Sequence, residues 1–258
     1  MARILITGSS DGLGLLVAQR LAHDGHKVVL HARNEQRAKD AKNACPDAES
    51  VVTGDLSSLS ETKKMAEDVN ALGAFDAIIH NAGLYRGAFR KTAEGIPALA
   101  AVNTVAPYVL ACLINKPKRL VFLSSEMHHS GDGSLKDVLW QQRGERKWSD
   151  NSAYCDSKLH NVMFAKAFAR RWPDVKVNSL DPGWVATKMG GAGAPGDPQK
   201  AVESYVMLAL GEGDGASKTG RYFRPGRRED RPKTVANDEA AQERLMQICA
   251  QLSGVEPA

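Results

Sequence analysis

An apolar run, Arg3-Ile4-Leu5-Ile6, leads directly into Thr7-Gly8-Ser9-Ser10-Asp11-Gly12-Leu13-Gly14. No other stretch constrains the fold as tightly. A strand that enters a glycine-rich turn and leaves as a helix builds half of a β-α-β unit. The turn also brings backbone N–H groups and a helix N-terminus to a place that suits a pyrophosphate. Gly8 and Gly12 supply backbone shapes that a side chain obstructs. Gly14 lets the helix, expected over 13–22, lie close to the sheet. The spacing is G-x-x-x-G-x-G rather than the commoner dinucleotide pattern G-x-G-x-x-G. Gly8, Ser9, Ser10, Asp11, Gly12, Leu13 and Gly14 are therefore the first candidate cofactor-binding residues.

Strand-like and helix-like stretches alternate along the rest of the 258 residues. Further strands are expected over 27–31, 49–53, 75–80, 119–123, 176–180 and 220–223. Helices are expected over 35–44, 59–72, within 95–113, and over 152–171, 201–210 and 238–252. Pro107 bends or tightens the fourth of these seven helices, counting the one over 13–22, and Pro173 stops the fifth. This order predicts a doubly wound Rossmann α/β fold. Its sheet is mainly parallel and seven-stranded, with helices on both faces, in a single domain spanning 1–258. Ligands of such sheets bind outside the carboxyl ends of the strands. Two stretches without regular pattern, 130–150 and 190–198, are candidate functional loops.

Bulk properties narrow the partners. The formal net charge of +4 is mild and does not call for nucleic acid. The basic runs 143–147 and 221–233 read as solvated surface. Cys45, Cys112, Cys155 and Cys249 form no C-x-x-C pair and have no histidine at ligand spacing, so no metal and no disulfide framework is expected. No apolar run approaches the roughly 20 residues of a membrane span. The first strand begins at once, without a signal-peptide pattern. We expect a cytoplasmic protein with reduced thiols and no membrane contact.

Each strand end carries candidate site residues. After the second strand come Arg33 and Asn34, where an NAD-preferring protein places a carboxylate for the ribose hydroxyls. Arg33 can pair with a 2′-phosphate, with Arg37 one helical turn away, so NADP (NADPH) is favoured over NAD. A solvated capping role is the bland alternative for Arg33. After the third strand, Asp55 can accept from an adenine amino group while Leu56 packs on the ring; Asp55 could equally cap the following helix. Asn81-Ala82-Gly83 after the fourth strand lets a ribose approach the backbone, or serves as a plain turn. The fifth strand ends in Ser124-Ser125. Tyr154 and Lys158 stand four apart on one helix face, which puts an ammonium near a phenol and is expected to lower the phenol pKa. Such a pair carries little weight alone and gains it from the ordered company of the other motifs.

Taken together, Thr7-Gly8-x-x-x-Gly12-x-Gly14, Asn81-Ala82-Gly83, Ser124-Ser125 and Tyr154-x-x-x-Lys158 resemble the short-chain dehydrogenase/reductase family over nearly the whole chain. Asn103 matches the asparagine that the family places in its fourth helix. Pro182-Gly183-Trp184-Val185-Ala186-Thr187 looks like its segment over the nicotinamide carboxamide, which adds Pro182, Gly183, Val185 and Thr187 to the cofactor-binding candidates. Tyr154-Cys155-x-Ser157-Lys158-Leu159-x-Asn161, with 29 residues separating Ser125 from Tyr154, is similar to retinol-dehydrogenase-like and protochlorophyllide-reductase-like members and to bacterial ketoreductases.

The resemblance implies roles. Tyr154 is the acid in carbonyl reduction and the base in reverse. Lys158 holds the nicotinamide ribose and lowers the Tyr154 pKa. Ser125 donates to the substrate oxygen, Ser124 serves packing, and Asn103 holds a water through which Lys158 reaches solvent. The implied function is transfer of a hydride between NADP(H) and a carbonyl or alcohol of a bulky, partly apolar small molecule. Reduction of a conjugated C=C bond, and a non-catalytic NADP(H)-sensing role, stand as alternatives. Trp140, Trp148, Trp184 and Met189 are candidate substrate contacts or plain core. His128 and His129 are candidates for the substrate or for a loop surface. Pairing into a homodimer or homotetramer through the Tyr154 helix is expected, with Phe164 and Phe168 on the pairing face.

Overall fold

In the computed structural model, which describes residues 1–213 and 217–257, a single eight-stranded sheet runs through the molecule in the order β3-β2-β1-β4-β5-β6-β7-β8. The strands are β1 (Arg3–Ile6), β2 (Lys27–Ala32), β3 (Ser50–Thr53), β4 (Ala77–His80), β5 (Arg119–Leu123), β6 (Lys176–Leu180), β7 (Tyr222–Arg224) and β8 (Arg228–Asp230). All pair in parallel except β7 with β8, an antiparallel edge hairpin. The sequence pattern gives seven strands; β8 is the eighth. Its Arg-Glu-Asp carries no apolar residue because all three positions are exposed.

The central strands are apolar on both faces, as helices on both sides require. Neighbouring residues diverge to opposite cores. Leu5 packs into a cluster with α3 (Leu59–Ala71), α5 (Ala106–Leu113), α6 (Asp150–Arg171) and α8 (Glu239–Ser253). Ile4 and Ile6 pack into another with α1 (Gly12–His23), α2 (Glu35–Ala44) and α7 (Pro198–Leu210). The helix starts are written in short polar side chains. Asp11, Asn34, Ser58, Ser149, Asp197 and Asp238 each accept a first-turn N–H. Ser58 therefore does for α3 what Asp55 was considered for.

The helix expected within 95–113 is interrupted. A short α4 (Ala98–Ala100) passes into a π-turn over Ala101–Val105 and then α5. Pro107 has no N–H to offer the Asn103 carbonyl, which accepts from Asn161 Nδ2 at 2.9 Å instead. The Ala106 N–H reaches back five residues to the Ala101 carbonyl. The bulge sets Asn103 beside the carboxyl ends of β4 and β5. Phe164 and Phe168 of α6 are fully buried in the core, with Phe122 against both rings, so neither presents a pairing face. Among the described residues no helix is long and apolar enough to cross a membrane, and no cluster of three metal-ligating side chains occurs.

Candidate active site

A cleft of about 520 Å³ opens where the strand order reverses, between β1 and β4. Its floor is the glycine turn, Gly8 to Gly14. Gly8 has φ +63°, and a Cβ there would stand 2.7 Å from Ala82 Cα; a Cβ on Gly14 would stand 2.5 Å from Asn81 Nδ2. Turn and Asn81 are locked together. Asn81 Nδ2 donates to the Thr7 and Gly8 carbonyls, and its Oδ1 accepts from the buried Tyr205 hydroxyl at 2.8 Å.

His31, unread in the sequence, completes this lock. Its Nδ1 accepts the Gly8 N–H at 2.9 Å, so Nε2 carries the proton and donates to the Gly54 carbonyl. Burial pushes its pKa down, in keeping with a neutral ring. The Gly8 N–H is thus spent inside the protein, and the Gly12 N–H is capped by Asp11. Asp11 also binds Lys188 Nζ at 2.5 Å and Arg37 Nη2 at 3.4 Å. The Lys188 bond above all draws the Asp11 carboxyl below its ordinary value.

Of the residues expected to face a cofactor, Gly8, Ser10, Asp11, Gly12, Leu13, Gly14, Arg33, Asp55, Leu56, Asn81, Ala82, Gly83, Tyr154, Lys158, Pro182 and Thr187 line the cleft. Four do not. Ser9 is fully buried, donating to the Ile6 carbonyl and accepting from the His31 N–H. Asn34 is turned to the Arg37 N–H as the α2 cap. The Gly183 N–H donates to Asp181 Oδ1, and Gly183 packs on Pro225. Val185 is buried and bridges to Gly196.

At the far end stand Tyr154 and Lys158, one turn apart on α6. The Ser125 side chain stands close enough to the Tyr154 hydroxyl to draw its pKa down, and Ser125 Oγ accepts the Met127 N–H at 3.3 Å. Lys158 Nζ donates to the Leu123 carbonyl at 2.9 Å and lies 5.3 Å from the centre of the Tyr154 ring. Ser124 ties β5 to α6 by donating to the Lys158 carbonyl at 2.8 Å. Asn103 holds the backbone of Leu84 from both sides, Oδ1 on its N–H and Nδ2 on its carbonyl, and donates also to Ser157 Oγ at 3.1 Å. Ser124 lines the cleft, Ser125 is half-buried beside Tyr154, and Asn103 is buried behind the lining.

The electrostatics correct one expectation. Burial pushes the Tyr154 phenol up, not down; the nearby Ser125 hydroxyl pulls it back only in part, and Asp181 and Tyr85 add to the rise. Lys158 is itself pushed down to about 8 by burial, with the Asp181 carboxylate opposing. Desolvation outweighs proximity in the protein alone.

The two basic runs are not simply solvated. Arg143 pairs with Asp137 at 3.1 Å and with the buried Asp156 at 3.2 Å. Arg224 reaches Glu126 at 2.9 Å and Asp230 at 3.2 Å, and stands 3.7 Å from buried Asp181. His128 is buried, its Nδ1 on the Ser125 carbonyl at 2.7 Å and its Nε2 accepting the Lys233 N–H at 3.1 Å. It fixes the strap that carries Ser125. His129 is exposed.

A dinucleotide-sized cleft at the strand-order reversal, ending in buried Tyr154 and Lys158 with Ser125 beside them, defines a Rossmann-type oxidoreductase. The short chain dehydrogenase family profile matches residues 2–196, and the chain belongs to that family. It is similar to short-chain dehydrogenase chry4 of Gibberella zeae, 48% identical over 255 residues, covering 99% of this chain and 98% of that one. It is 30% identical to retinol dehydrogenase 13 of Homo sapiens over 288 residues, covering 98% and 85%. Among solved structures, a protein assigned as a short-chain dehydrogenase from Shigella flexneri, complexed with NADP, superposes with a TM-score of 0.63 at 25% identity, covering 86% of this chain and 96% of that one. The chain is thus an NAD(P)-dependent oxidoreductase acting on small molecules.

Proposed function

We propose that the protein is an NADP(H)-dependent carbonyl reductase or alcohol dehydrogenase, acting on a bulky, partly apolar carbonyl compound or the corresponding alcohol. The observation that carries this is the grouping of Tyr154 and Lys158, with Ser125 beside them, at one end of a cleft whose other end holds Arg33 and Arg37. NADP suits the donors at that other end. No carboxylate lines the cleft after β2, since Glu35 accepts from Thr53 Oγ1 instead. Asp11 does not oppose a phosphate there, because Lys188 and Arg37 already neutralise it. The Shigella flexneri relative bound to NADP points the same way.

NADPH, when bound, supplies the hydride. Tyr154, kept protonated by burial, gives its proton to the oxygen of the substrate as negative charge develops there. Ser125 donates a hydrogen bond to the same oxygen. Lys158 contributes positive charge beneath them and, with Tyr154, borders the cleft where the nicotinamide ribose would lie. Asn103 holds the Leu84 backbone, and so the wall after Gly83, in place.

The test is a panel of ketones, aldehydes and enones with NADPH and with NADH, followed at the cofactor absorbance band with products identified by mass and NMR. Alcohol products with NADPH preferred are expected. Saturated ketones would replace this reading with C=C reduction. Tight NADPH binding without turnover of any compound would replace it with a sensing role.

A further inference from the structure

Trp140 and Trp148 of the Tyr154 cluster, and Trp184 after β6, have one feature in common: their N–H groups are spent on the protein. Trp140 Nε1 donates to Asp156 Oδ2 at 3.1 Å, Trp148 Nε1 to the Gly87 carbonyl at 3.0 Å, and Trp184 Nε1 to the Gly190 carbonyl at 2.7 Å. These rings keep no donor for a ligand and can offer it only flat apolar surface.

Their arrangement starts from Asp156, two residues beyond Tyr154 on α6. This carboxylate is buried, and it holds the 131–148 segment at three points. Its Oδ1 accepts the Asp132 N–H at 2.7 Å, and its Oδ2 receives both Trp140 and Arg143. The Arg143 guanidinium lies over the Trp140 ring, 3.4 Å from its centre. Trp140, so fixed, is core: it packs with Leu99, Ala153 and Tyr154. Trp148 sits edge-on to it at 5.1 Å, with Phe89 at 5.3 Å on the same ring. Tyr85, from the loop after Gly83, meets the Tyr154 ring edge-on at 4.6 Å. Trp148 and Tyr85 are both half-buried. The catalytic phenol is therefore bordered by the Tyr85 ring, Trp148 packs against the same small cluster of Leu99, Trp140, Ala153 and Tyr154, and the Asp156–Arg143 pair seats the Trp140 base on which Trp148 rests.

We infer that Tyr85 and Trp148 form a substrate shelf, seated through Asp156, that selects flat aryl carbonyl compounds over small aliphatic ones. This rests on the proposed carbonyl chemistry of the same site. The shelf grips by ring contact, so its contribution falls on substrate binding and grows with the flat area of the substrate. Asp156 and Arg143 are positioning residues; Tyr85 is the residue that meets the substrate.

The test compares 2-acetylnaphthalene with pentan-2-one in wild type, Tyr85→Ala and Asp156→Asn. Tyr85→Ala alters a half-exposed loop residue, which keeps the test independent of whether Asp156→Asn folds. In Tyr85→Ala we expect kcat/KM for the aryl ketone to fall about tenfold, mainly through KM, and that for pentan-2-one to change less than about twofold. Asp156→Asn is expected to shift the ratio in the same direction, and titration calorimetry of 2-acetylnaphthalene against the protein alone should weaken in step. An unchanged ratio, or parallel loss for both ketones in Tyr85→Ala, overturns the shelf. The calorimetry needs no turnover. If wild type binds the aryl ketone more tightly than Tyr85→Ala yet reduces neither ketone, the shelf stands and the carbonyl-reductase reading falls.

Discussion

Two lysines mark the two ends of the cleft, and they face opposite conditions. Lys158 is buried, held by the Leu123 carbonyl, and pushed down to about 8. Lys188, paired with Asp11 at 2.5 Å, has a side chain 79% exposed. The shorter contact is the weaker device, because water and salt screen an exposed pair while a buried charge feels its surroundings nearly undiluted. The catalytic end should therefore respond steeply to substitution and pH, and the nucleotide end only mildly.

The largest effect belongs to Tyr154→Phe, which removes the hydroxyl of the proposed proton donor and leaves the ring. Reduction should fall by about three orders of magnitude, as for loss of a general acid. NADPH affinity, read by fluorescence titration, should stay within about twofold. Near-native turnover would remove Tyr154 from the chemistry and with it the contrast between the two ends.

Next comes pH. With Tyr154 held high by burial, Lys158 loses its proton first as pH rises. Carbonyl reduction should decline through about pH 8, and a profile flat to pH 10 would contradict this. Stability should move the other way. The unfolded lysine keeps its proton up to its ordinary value of 10.5, so between about 8 and 10.5 the unfolded chain binds more protons, and the contribution of Lys158 to folding rises with pH. Urea unfolding of wild type should show that rise, and Lys158→Met should lose it.

The same contrast explains what the chain disclosed before its structure. The glycine turn, the strands and most helix caps depend on neighbours in sequence, such as a glycine where φ is positive or an Asp ahead of a first turn, so they were legible. Tyr154, Lys158 and Ser125 were legible because their order along the chain is itself a signal. What stayed hidden depends on contacts between distant residues. His31 sat in an apolar strand and gave no sign that it would hold Gly8, 23 residues away. Asp156, between Cys155 and Ser157, carries no local signal of the Trp140 and Arg143 side chains that fold back onto it. Desolvation was hidden as well. The Tyr154–Lys158 spacing predicts attraction, but only the packing shows that both groups are stripped of water, which reverses the expected shift of the phenol.

At the nucleotide end, Arg33→Ala should weaken NADPH about tenfold and NADH little, since a guanidinium–phosphate pair is lost only for the former. Equal losses for the two cofactors would detach Arg33 from the phosphate and leave Arg37 as the candidate. The comparison of dissociation constants needs no substrate.

The smallest effect is expected for Lys188→Ala. An exposed ion pair contributes about 0–1 kcal/mol, so Tm should barely move. The pair nevertheless bridges the segment after Thr187 to the N-cap of α1, across the mouth of the cleft. Removing the ammonium leaves Asp11 with Arg37 as its remaining cationic partner. Its carboxylate, no longer fully neutralised, then opposes an incoming phosphate. NADPH affinity should drop by about two- to fivefold in low salt and by less at high salt, where the Debye length shortens to roughly 3 Å at 1 M. Asp11→Asn in the same background should restore it, because the repelling charge is gone while the side-chain oxygen can still cap Gly12. If Lys188→Ala weakened NADPH equally at both salt concentrations, the lysine would act by direct contact with the cofactor, and the exposed end of the cleft would prove less screened than its accessibility implies.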